Sequence, residues 1–198
     1  VMGGELVAIN SYAFYNCQAI TRFHSTTDGE LIIPEGVTTI GEYAFCNLSA
    51  MTKLVVPETV TEIGVGAFYG CNALEDVTLP FVGKTADANQ TKEAVFGHIF
   101  GMYTSEWSST SSKPEGTTYQ GWSCYLDLDR YLITGINGYN SIRNYDYRAD
   151  YYYIPTSIKN VTITTQSAIP TAAFNNCSFI ETITVATTAR AGEYAYQN

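Results

Sequence analysis

The sequence predicts a β-rich solenoid in which short repeats stack side by side, with their strands in a parallel sheet, and which carries one large insertion. Three observations support this prediction. A motif recurs at a spacing of 23 residues. Each copy contains apolar positions that alternate as they do in a half-buried strand. A stretch rich in tyrosine and tryptophan then separates two groups of copies.

The repeat is clearest in the two copies that begin at Pro34 and Pro57, which share the frame P-E-x-V-T-x-I-G-x-x-A-F. The Ala-Phe pair of this frame recurs at 13–14, 44–45, 67–68 and 173–174, and a broken copy lies at 192–196. One repeat is too small to bury its own apolar face, so neighbouring repeats must stack to form a continuous core.

The strands follow the Ala-Phe pair, in segments such as Leu74, Val77 and Leu79. In a stack these strands lie about 4.8 Å apart, and the proline after each one ends the hydrogen-bonded ladder. We expect strand 158–163 to pair directly with strand 74–79. The four phenylalanines of the Ala-Phe pairs are expected to form one buried column: Phe14, Phe45, Phe68 and Phe174.

The predicted organisation has three parts. Residues 1–79 hold repeats, of which the first is partial; residues 80–155 are the insertion; and residues 156–198 continue the repeats, ending in a partial copy. The insertion contains both tryptophans and ten of the 16 tyrosines. Within it we predict a short helix or buried turn at 94–101, an exposed loop at 105–121, and strands at 125–128 and 131–134.

The motif I-P-x-x-V-T-x-I-G-x-x-A-F-x-x-C-x-x-L, with its V-T-L-P strand end, resembles the BspA-type leucine-rich repeat. The resemblance implies a right-handed leucine-rich-repeat solenoid with the parallel sheet on its concave face. It also implies a secreted or cell-surface protein, mostly of bacteria, that acts in adhesion or in binding host matrix. It supplies no catalytic residues.

Composition excludes several classes of protein. With 45% hydrophobic and 15% charged residues, the chain is not of the disordered type. Its net charge of −9 gives no general attraction to nucleic acid or anionic lipid. No apolar run approaches the roughly 20 residues of a membrane span. We identify no signal peptide in this sequence, and the family resemblance still implies an extracellular or cell-surface location.

Residues for catalysis or metal binding are sparse. The two histidines, His24 and His98, accompany no nucleophile motif, and we interpret both as structural or solvated. Asp127 and Asp129 lack the glycine and distal glutamate of an EF-hand loop. We therefore predict no cofactor, no metal site and no enzyme activity.

Five cysteines are present, and none forms a CxxC motif. Cys17, Cys71 and Cys177 share one repeat position that points inward beside the phenylalanines, where cysteine acts as a small apolar side chain. A secreted context would allow disulfides, but the odd count and the lack of local pairs favour free thiols, including those of Cys46 and Cys124.

Two surfaces are candidates for ligand binding. The aromatic side chains of the insertion either pack against the repeats or form an exposed platform, because tyrosine and tryptophan combine large area with a polar tip. The platform would consist of Trp107, Trp122, Tyr139, Tyr145, Tyr147, Tyr151 and Tyr152. The outward columns of the sheet would present Arg22, Lys53, Glu75, Asp76, Lys159 and Asn160.

The sequence thus favours a non-catalytic binding or adhesion module for a protein or glycan ligand at a cell surface. Two alternatives remain at this stage. The chain could be part of a polysaccharide-acting enzyme, in which two carboxylates converge in an aromatic cleft. It could also be an architectural spacer between other domains.

Overall fold

A computed structural model describes residues 6–88, 92–104, 117–127, 130–133, 149–170, 172–175, 177–185 and 190–191. Its regular elements are strands and two short 3₁₀ helices, η1 (Lys92–Ala94) and η2 (Phe96–Phe100). The strands are β1 (Ala8–Ile9), β2 (Glu30–Ile32), β3 (Thr39–Ile40), β4 (Lys53–Val55), β5 (Glu62–Ile63), β6 (Asp76–Leu79), β7 (Met102–Thr104), β8 (Thr117–Asp127), β9 (Arg130–Ile133), β10 (Ala149–Pro155), β11 (Asn160–Ile163), β12 (Ala168–Ile169), β13 (Thr182–Val185) and β14 (Arg190–Ala191).

The main sheet is five-stranded and parallel, in the order β13-β11-β6-β4-β2. Leu31, Leu54, Val77, Val161 and Ile183 lie side by side on its inner face. The strand after the insertion pairs directly with the strand before it, since Val161 lies opposite Val77. The predicted parallel stack and this strand pairing are confirmed.

The V-T-x-I segments of the repeats form a second parallel sheet, in the order β1-β3-β5. Ile40 and Ile63 are buried on this sheet, one above the other. Strands β12 and β14 form a further parallel pair, in which Ile169 lies opposite Ala191. The core lies between the main sheet and these shorter strands, because each repeat contributes one apolar strand to each side.

The predicted phenylalanine column is correct for three repeats and wrong for the fourth. Phe14 stacks on Phe45 with ring centroids 5.2 Å apart, and Phe45 stacks on Phe68 at 5.7 Å. Helix η2 then adds a layer, because the Phe68 amide donates to Ile99 O while the Phe96 amide donates to Ala173 O. Phe174 packs on Phe96 at 5.2 Å.

The segment predicted to be the insertion contains an antiparallel sheet in the order β7-β10-β8-β9. The strands predicted at 125–128 and 131–134 are confirmed where the structure describes them, in β8 and β9. The short buried helix predicted at 94–101 is confirmed as η2. The loop predicted at 105–121 is wrong at its end, because 117–121 belong to β8; residues 105–116 lie outside the described residues.

The spacing of the apolar positions also predicts Arg22 beside Lys53 in one outward column of the sheet, and this prediction is wrong. Residues 24–31 add a strand of their own, so Glu30 lies opposite Lys53 in the ladder. Phe23 forms a parallel bridge to Leu31 one layer further out. Arg22 instead pairs with Asp28, at 2.7 Å, within the loop that joins these two layers.

Candidate functional site

Five tyrosines form a continuous row across the Ala-Phe turns of neighbouring repeats, here called the tyrosine row. Its members in spatial order are Tyr15, Tyr12, Tyr43, Tyr69 and Tyr153. Consecutive ring centroids lie between 5.6 and 6.2 Å apart. Such spacings are those of favourable aromatic pairs, each worth about 0.5–1.5 kcal/mol beyond its buried area.

The outer end of the row is open to solvent, and the inner end is buried. Tyr12 is 54% exposed and Tyr15 is 49% exposed. Tyr43 and Tyr69 are half-buried, and Tyr153 is buried against the repeats. The row therefore presents aromatic area that is held in place by its own neighbours.

The backbone of the Ala-Phe turn explains why these side chains line up. The residue before each alanine has a left-handed conformation, with φ of 61° at Tyr12, 52° at Tyr43 and 64° at Gly66. The second residue after each phenylalanine is also left-handed, as at Asn16 and Asn47. Asparagine tolerates this conformation, whereas a tyrosine pays roughly 1–2 kcal/mol for it.

Glycine at position 66 relieves this strain in the third repeat and makes room for the row. A methyl group on Gly66 would lie 2.6 Å from Cε1 of Tyr43, so the Tyr43 ring occupies the space above the glycine. Tyr69 is placed in the same way over Gly101, where the corresponding distance to its Cδ2 is also 2.6 Å. Each ring thus packs on the backbone of the next layer.

The half-buried phenols of the row are neutral at ordinary pH. Burial, followed by the nearby Tyr12 and Glu42, raises the pKa of Tyr43. Burial, followed by Cys46 and Tyr15, raises the pKa of Tyr69. Both hydroxyls therefore keep their protons and can donate hydrogen bonds.

A groove of about 310 Å³ adjoins the inner end of the row. Tyr69, Tyr153 and Phe100 line its aromatic side, and Gln18 and Asn47 line its polar side. The polar side is organised by Asn16, whose Oδ1 accepts hydrogen bonds from Gln18 Nε2 at 2.9 Å and from Asn47 Nδ2 at 3.3 Å. We call Asn16, Gln18 and Asn47 the amide cluster.

The outer face of the main sheet carries polar side chains that pair with one another. Lys53 forms an ion pair with Glu30 at 3.0 Å, and Lys159 forms one with Glu181 at 2.9 Å. Asn160 donates a hydrogen bond to Asp76 at 2.7 Å. Glu75 is exposed beside them. The sequence pattern placed Lys159 beside Glu181 and Lys53 beside Asp76 on neighbouring strands. Lys159 and Glu181 form the expected ion pair, and Lys53 lies opposite Asp76 in the ladder but forms its ion pair with Glu30.

The predicted aromatic platform is wrong at Tyr152. This side chain is only 1% exposed, because β10 lies against η2 and turns the Tyr152 ring toward His98, 6.2 Å away. Trp122 and Tyr151 belong to β8 and β10, and their side chains are outside the described part of the structure. Trp107, Tyr139, Tyr145 and Tyr147 lie outside the described residues altogether.

The tyrosine row was not predicted from the sequence, although the repeat positions of its tyrosines contain a signal for it. Tyr12 and Tyr43 occupy the same repeat position, directly before the alanine, and Tyr15 and Tyr69 share the position directly after the phenylalanine. Equivalent positions of stacked repeats become neighbours. An alignment of the copies would therefore have predicted the contacts between repeats, but it could not have placed Tyr153 beside Tyr69.

The positions of both histidines agree with structural or solvated roles. His98 is buried, and its Nε2 lies 3.2 Å from Ile63 O. His24 is exposed in a bend with φ of 50°. Within the described ranges, no three His, Cys, Asp or Glu side chains come together in a way that could hold a metal ion.

The cysteines Cys17, Cys46, Cys71 and Cys177 are free thiols, as predicted, and Cys124 lies in β8 with its side chain outside the described part. Cys71 and Cys177 are buried at the inward position. Cys17 is exposed, which corrects the expectation of an inward thiol, since its repeat is the outermost described layer.

Parallel strands contributed once per repeat, with an Ala-Phe turn in each copy, define this molecule as a protein of stacked repeats. The chain belongs to the BspA-type leucine-rich repeat family, whose model matches residues 7–96 and 133–198 in six copies. The match extends at both ends into the segment predicted to be the insertion. The comparisons found no match among curated proteins and none among solved structures.

Proteins with leucine-rich repeats commonly use them to bind other proteins. Proteins with the BspA-type repeat are typically associated with cell surfaces. A search for membrane-spanning helices among the described residues finds none of sufficient length and apolar character.

Proposed function

We propose that this chain is a non-catalytic binding module of an extracellular or cell-surface adhesion protein, and that the tyrosine row is its main contact surface. The ligand is a protein or a glycan. The observation that carries the proposal is the exposure of Tyr12 and Tyr15 at the end of an otherwise packed aromatic row. The row is held by the stacked Ala-Phe turns of the repeats, and we further propose that these repeats form a right-handed solenoid with the main sheet on its concave face.

Tyrosine is suited to this role because it offers a large, rigid surface with a hydroxyl at its end. Binding energy at protein interfaces concentrates in tyrosine, tryptophan and arginine. Little conformational entropy is lost on binding when the ring is already fixed. The rings of Tyr12 and Tyr43 are stacked at an interplanar angle of 16°, so each restricts the other before a ligand arrives.

Backbone strain at Tyr12 and Tyr43 also supports a binding role. Both tyrosines occupy a left-handed position that Gly66 fills without strain in the next repeat. Strained residues cluster at functional sites, where a gain in function offsets their cost in stability.

The polar side chains on the outer face of the main sheet have a smaller part in this proposal. Exposed ion pairs such as Lys159 with Glu181 contribute about 0–1 kcal/mol to stability. Their charges are already matched, so this face orients a ligand more than it holds one. We also retain Trp107 and Trp122, which the sequence analysis predicted, as candidate contact residues.

The proposal is tested by screening the protein on a glycan array and on a panel of extracellular-matrix proteins. The double variant Tyr12→Gly/Tyr15→Ala removes both exposed rings, and glycine relieves the backbone at position 12. The expected result is at least a tenfold loss of affinity for any ligand found, because hot-spot aromatic residues typically contribute about 2 kcal/mol or more.

The control is Val7→Ala, which removes a side chain of similar exposure, 53%, away from the row. Affinity unchanged in the double variant and lost in Lys53→Ala/Lys159→Ala would move the site to the sheet face and overturn the proposal. Hydrolysis of any glycan on the array would contradict the non-catalytic assignment.

A further inference from the structure

The groove beside Tyr69 has the composition of a sugar-binding site. One side is aromatic, formed by Tyr69 and Tyr153, whose rings lie 6.2 Å apart at an angle of 67°. The other side is the amide cluster, and Ser49 adds an exposed side chain at its edge. A pyranose ring has C–H faces that pack on aromatic rings and hydroxyls that need donors and acceptors, so the two sides match its two kinds of surface.

The amide cluster is already in position. Asn16 Oδ1 joins Gln18 and Asn47 across two repeats, which limits the freedom of both amides. These two contacts use one amide nitrogen from each side chain. A primary amide has two N–H donors and an oxygen acceptor, so capacity remains to bind a pair of sugar hydroxyls. Gly70 is essential here, because any side chain on it would collide with the Asn47 amide.

The size of the groove restricts the ligand. A volume of about 310 Å³ lies at the lower end of the range of small-molecule sites, roughly 300–1,000 Å³. This volume suits one or two sugar rings. The groove continues into the tyrosine row through Tyr69, so further units of a glycan can extend along Tyr43 and Tyr12.

Charge restricts the ligand further. Among the described residues that line the groove, none is charged. The protein as a whole carries a net charge of −9. A sugar carboxylate or sulfate would therefore find no cationic partner among these lining residues, and the net charge of the protein would repel it. Neutral sugars meet neither penalty.

We propose that this groove binds one neutral pyranose unit of a glycan, with its C–H face on Tyr69 and its hydroxyls on Gln18 and Asn47. The inference deepens the proposed function, because it names the ligand class for the inner end of the tyrosine row. Only the path of a longer glycan along the tyrosine row depends on the proposed function.

The test is saturation-transfer difference NMR with four probes. The neutral probes are the methyl glycosides of glucose, galactose and N-acetylglucosamine, and the anionic probe is glucuronic acid. We expect saturation of the ring protons of at least one neutral glycoside and none for glucuronic acid. No signal from any neutral glycoside, or equal signals from glucuronic acid, would overturn the proposal.

Variants of the amide cluster test whether the neutral glycoside binds in this groove. Asn47→Gly removes the amide but keeps the left-handed backbone, just as Gly70 does at the same position of the next repeat. Asn47→Gly and Gln18→Ala should each weaken binding of the neutral glycoside by roughly tenfold, since each removes a hydrogen-bond partner of the ligand. Val7→Ala, which changes an exposed side chain outside the tyrosine row, should leave the affinity for a single glycoside unchanged.

Unchanged affinity in both amide variants, with intact folding by circular dichroism, would contradict the assignment. The results also separate the two proposals. If Tyr12→Gly/Tyr15→Ala abolishes binding to the matrix panel while no neutral glycoside binds, the groove inference fails and the binding module stands. If the glycoside binds in an amide-dependent way while the tyrosine variants lose nothing, the module's contact surface is wrong and the groove stands.

Discussion

The ring of Tyr43 lies over the α-carbon of Gly66, in the space that a side chain on Gly66 would fill. This contact joins two repeats on the surface where the tyrosine row runs. It also explains why a glycine follows a tyrosine at equivalent positions of successive copies. The left-handed turn that strains Tyr43 is the same turn that positions its ring.

Replacing Gly66 with alanine tests this relationship. The new methyl group would meet the Tyr43 ring at 2.6 Å, and φ of 64° is unfavourable for alanine. The backbone alone should cost about 1–2 kcal/mol in the free energy of unfolding, measured by urea denaturation. The control is Gly36→Ala, where φ is 91° and nothing lies within 4 Å of the added atom. Gly66→Ala should be the more destabilising change, and the excess should vanish in a Tyr43→Gly background.

Truncating Phe68 should strongly destabilise the stack. Phe68 is fully buried and stacks on Phe45, so Phe68→Ala leaves a cavity that the rigid neighbouring layers cannot close. We expect a loss of about 3–5 kcal/mol in the free energy of unfolding. Phe14→Ala is the matched control, because Phe14 holds the same repeat position but is only partly buried in the outermost described layer. Equal losses in the free energy of unfolding would contradict the greater burial of Phe68.

The thiols should differ sharply in reactivity. Burial raises the pKa of Cys46 to about 11 and that of Cys71 to about 12, and it raises the pKa of Cys177 as well. Because the thiolate is the reactive form, these three should react with iodoacetamide at pH 8 at least about a hundredfold more slowly in native buffer than in urea. Cys17 is exposed and should react readily in both. Peptide mapping by mass spectrometry gives the rate at each site; rapid native labelling of Cys71 would contradict the packing.

Glu30 should make stability depend on pH in the acid range. Hydrogen bonds from the Ser25 hydroxyl and from Lys53 lower the pKa of Glu30. A carboxyl whose pKa is lowered by folding contributes stability above the unfolded pKa, about 4.3, and loses it as the pH falls through the folded value. Wild-type protein should therefore be more stable than Glu30→Gln at pH 7, and the difference should shrink toward pH 2. Urea denaturation across this range measures it, and a constant difference would assign the effect of the substitution to something other than ionisation.

The ionisation of Tyr43 and Tyr69 should make the stability of the protein depend on pH in the alkaline range. Burial raises the pKa of Tyr43 and Tyr69, so the folded protein holds these protons more tightly than the unfolded chain. The resulting stability is present below about pH 10 and is lost as the pH rises through the folded pKa values. Absorbance at 295 nm during alkaline titration should show tyrosines that ionise late, and Tyr43→Phe/Tyr69→Phe should remove part of that late phase. An unchanged late phase would assign it to other tyrosines.

The sequence by itself determined the repeat, its strands and its inward side chains. Leu54 and Val77 were predictable as neighbours because equivalent positions of stacked copies meet in register, and the pattern within each copy says which positions face inward. Free thiols were also predictable from the odd number of cysteines and their lack of local pairs, and the family was predictable from the repeated motif.

The tertiary structure alone decided which layers lie next to one another where the period breaks. It placed Glu30 rather than Arg22 beside Lys53, because residues 24–31 form a layer of their own. It put η2 between Phe68 and Phe174 on one side of the stack, while β6 and β11 pair directly on the other. It buried Tyr152 and brought Tyr153 to the tyrosine row. The physical reason is that periodicity specifies contacts only between equivalent positions, whereas the partners of an irregular segment depend on the space that distant layers leave open.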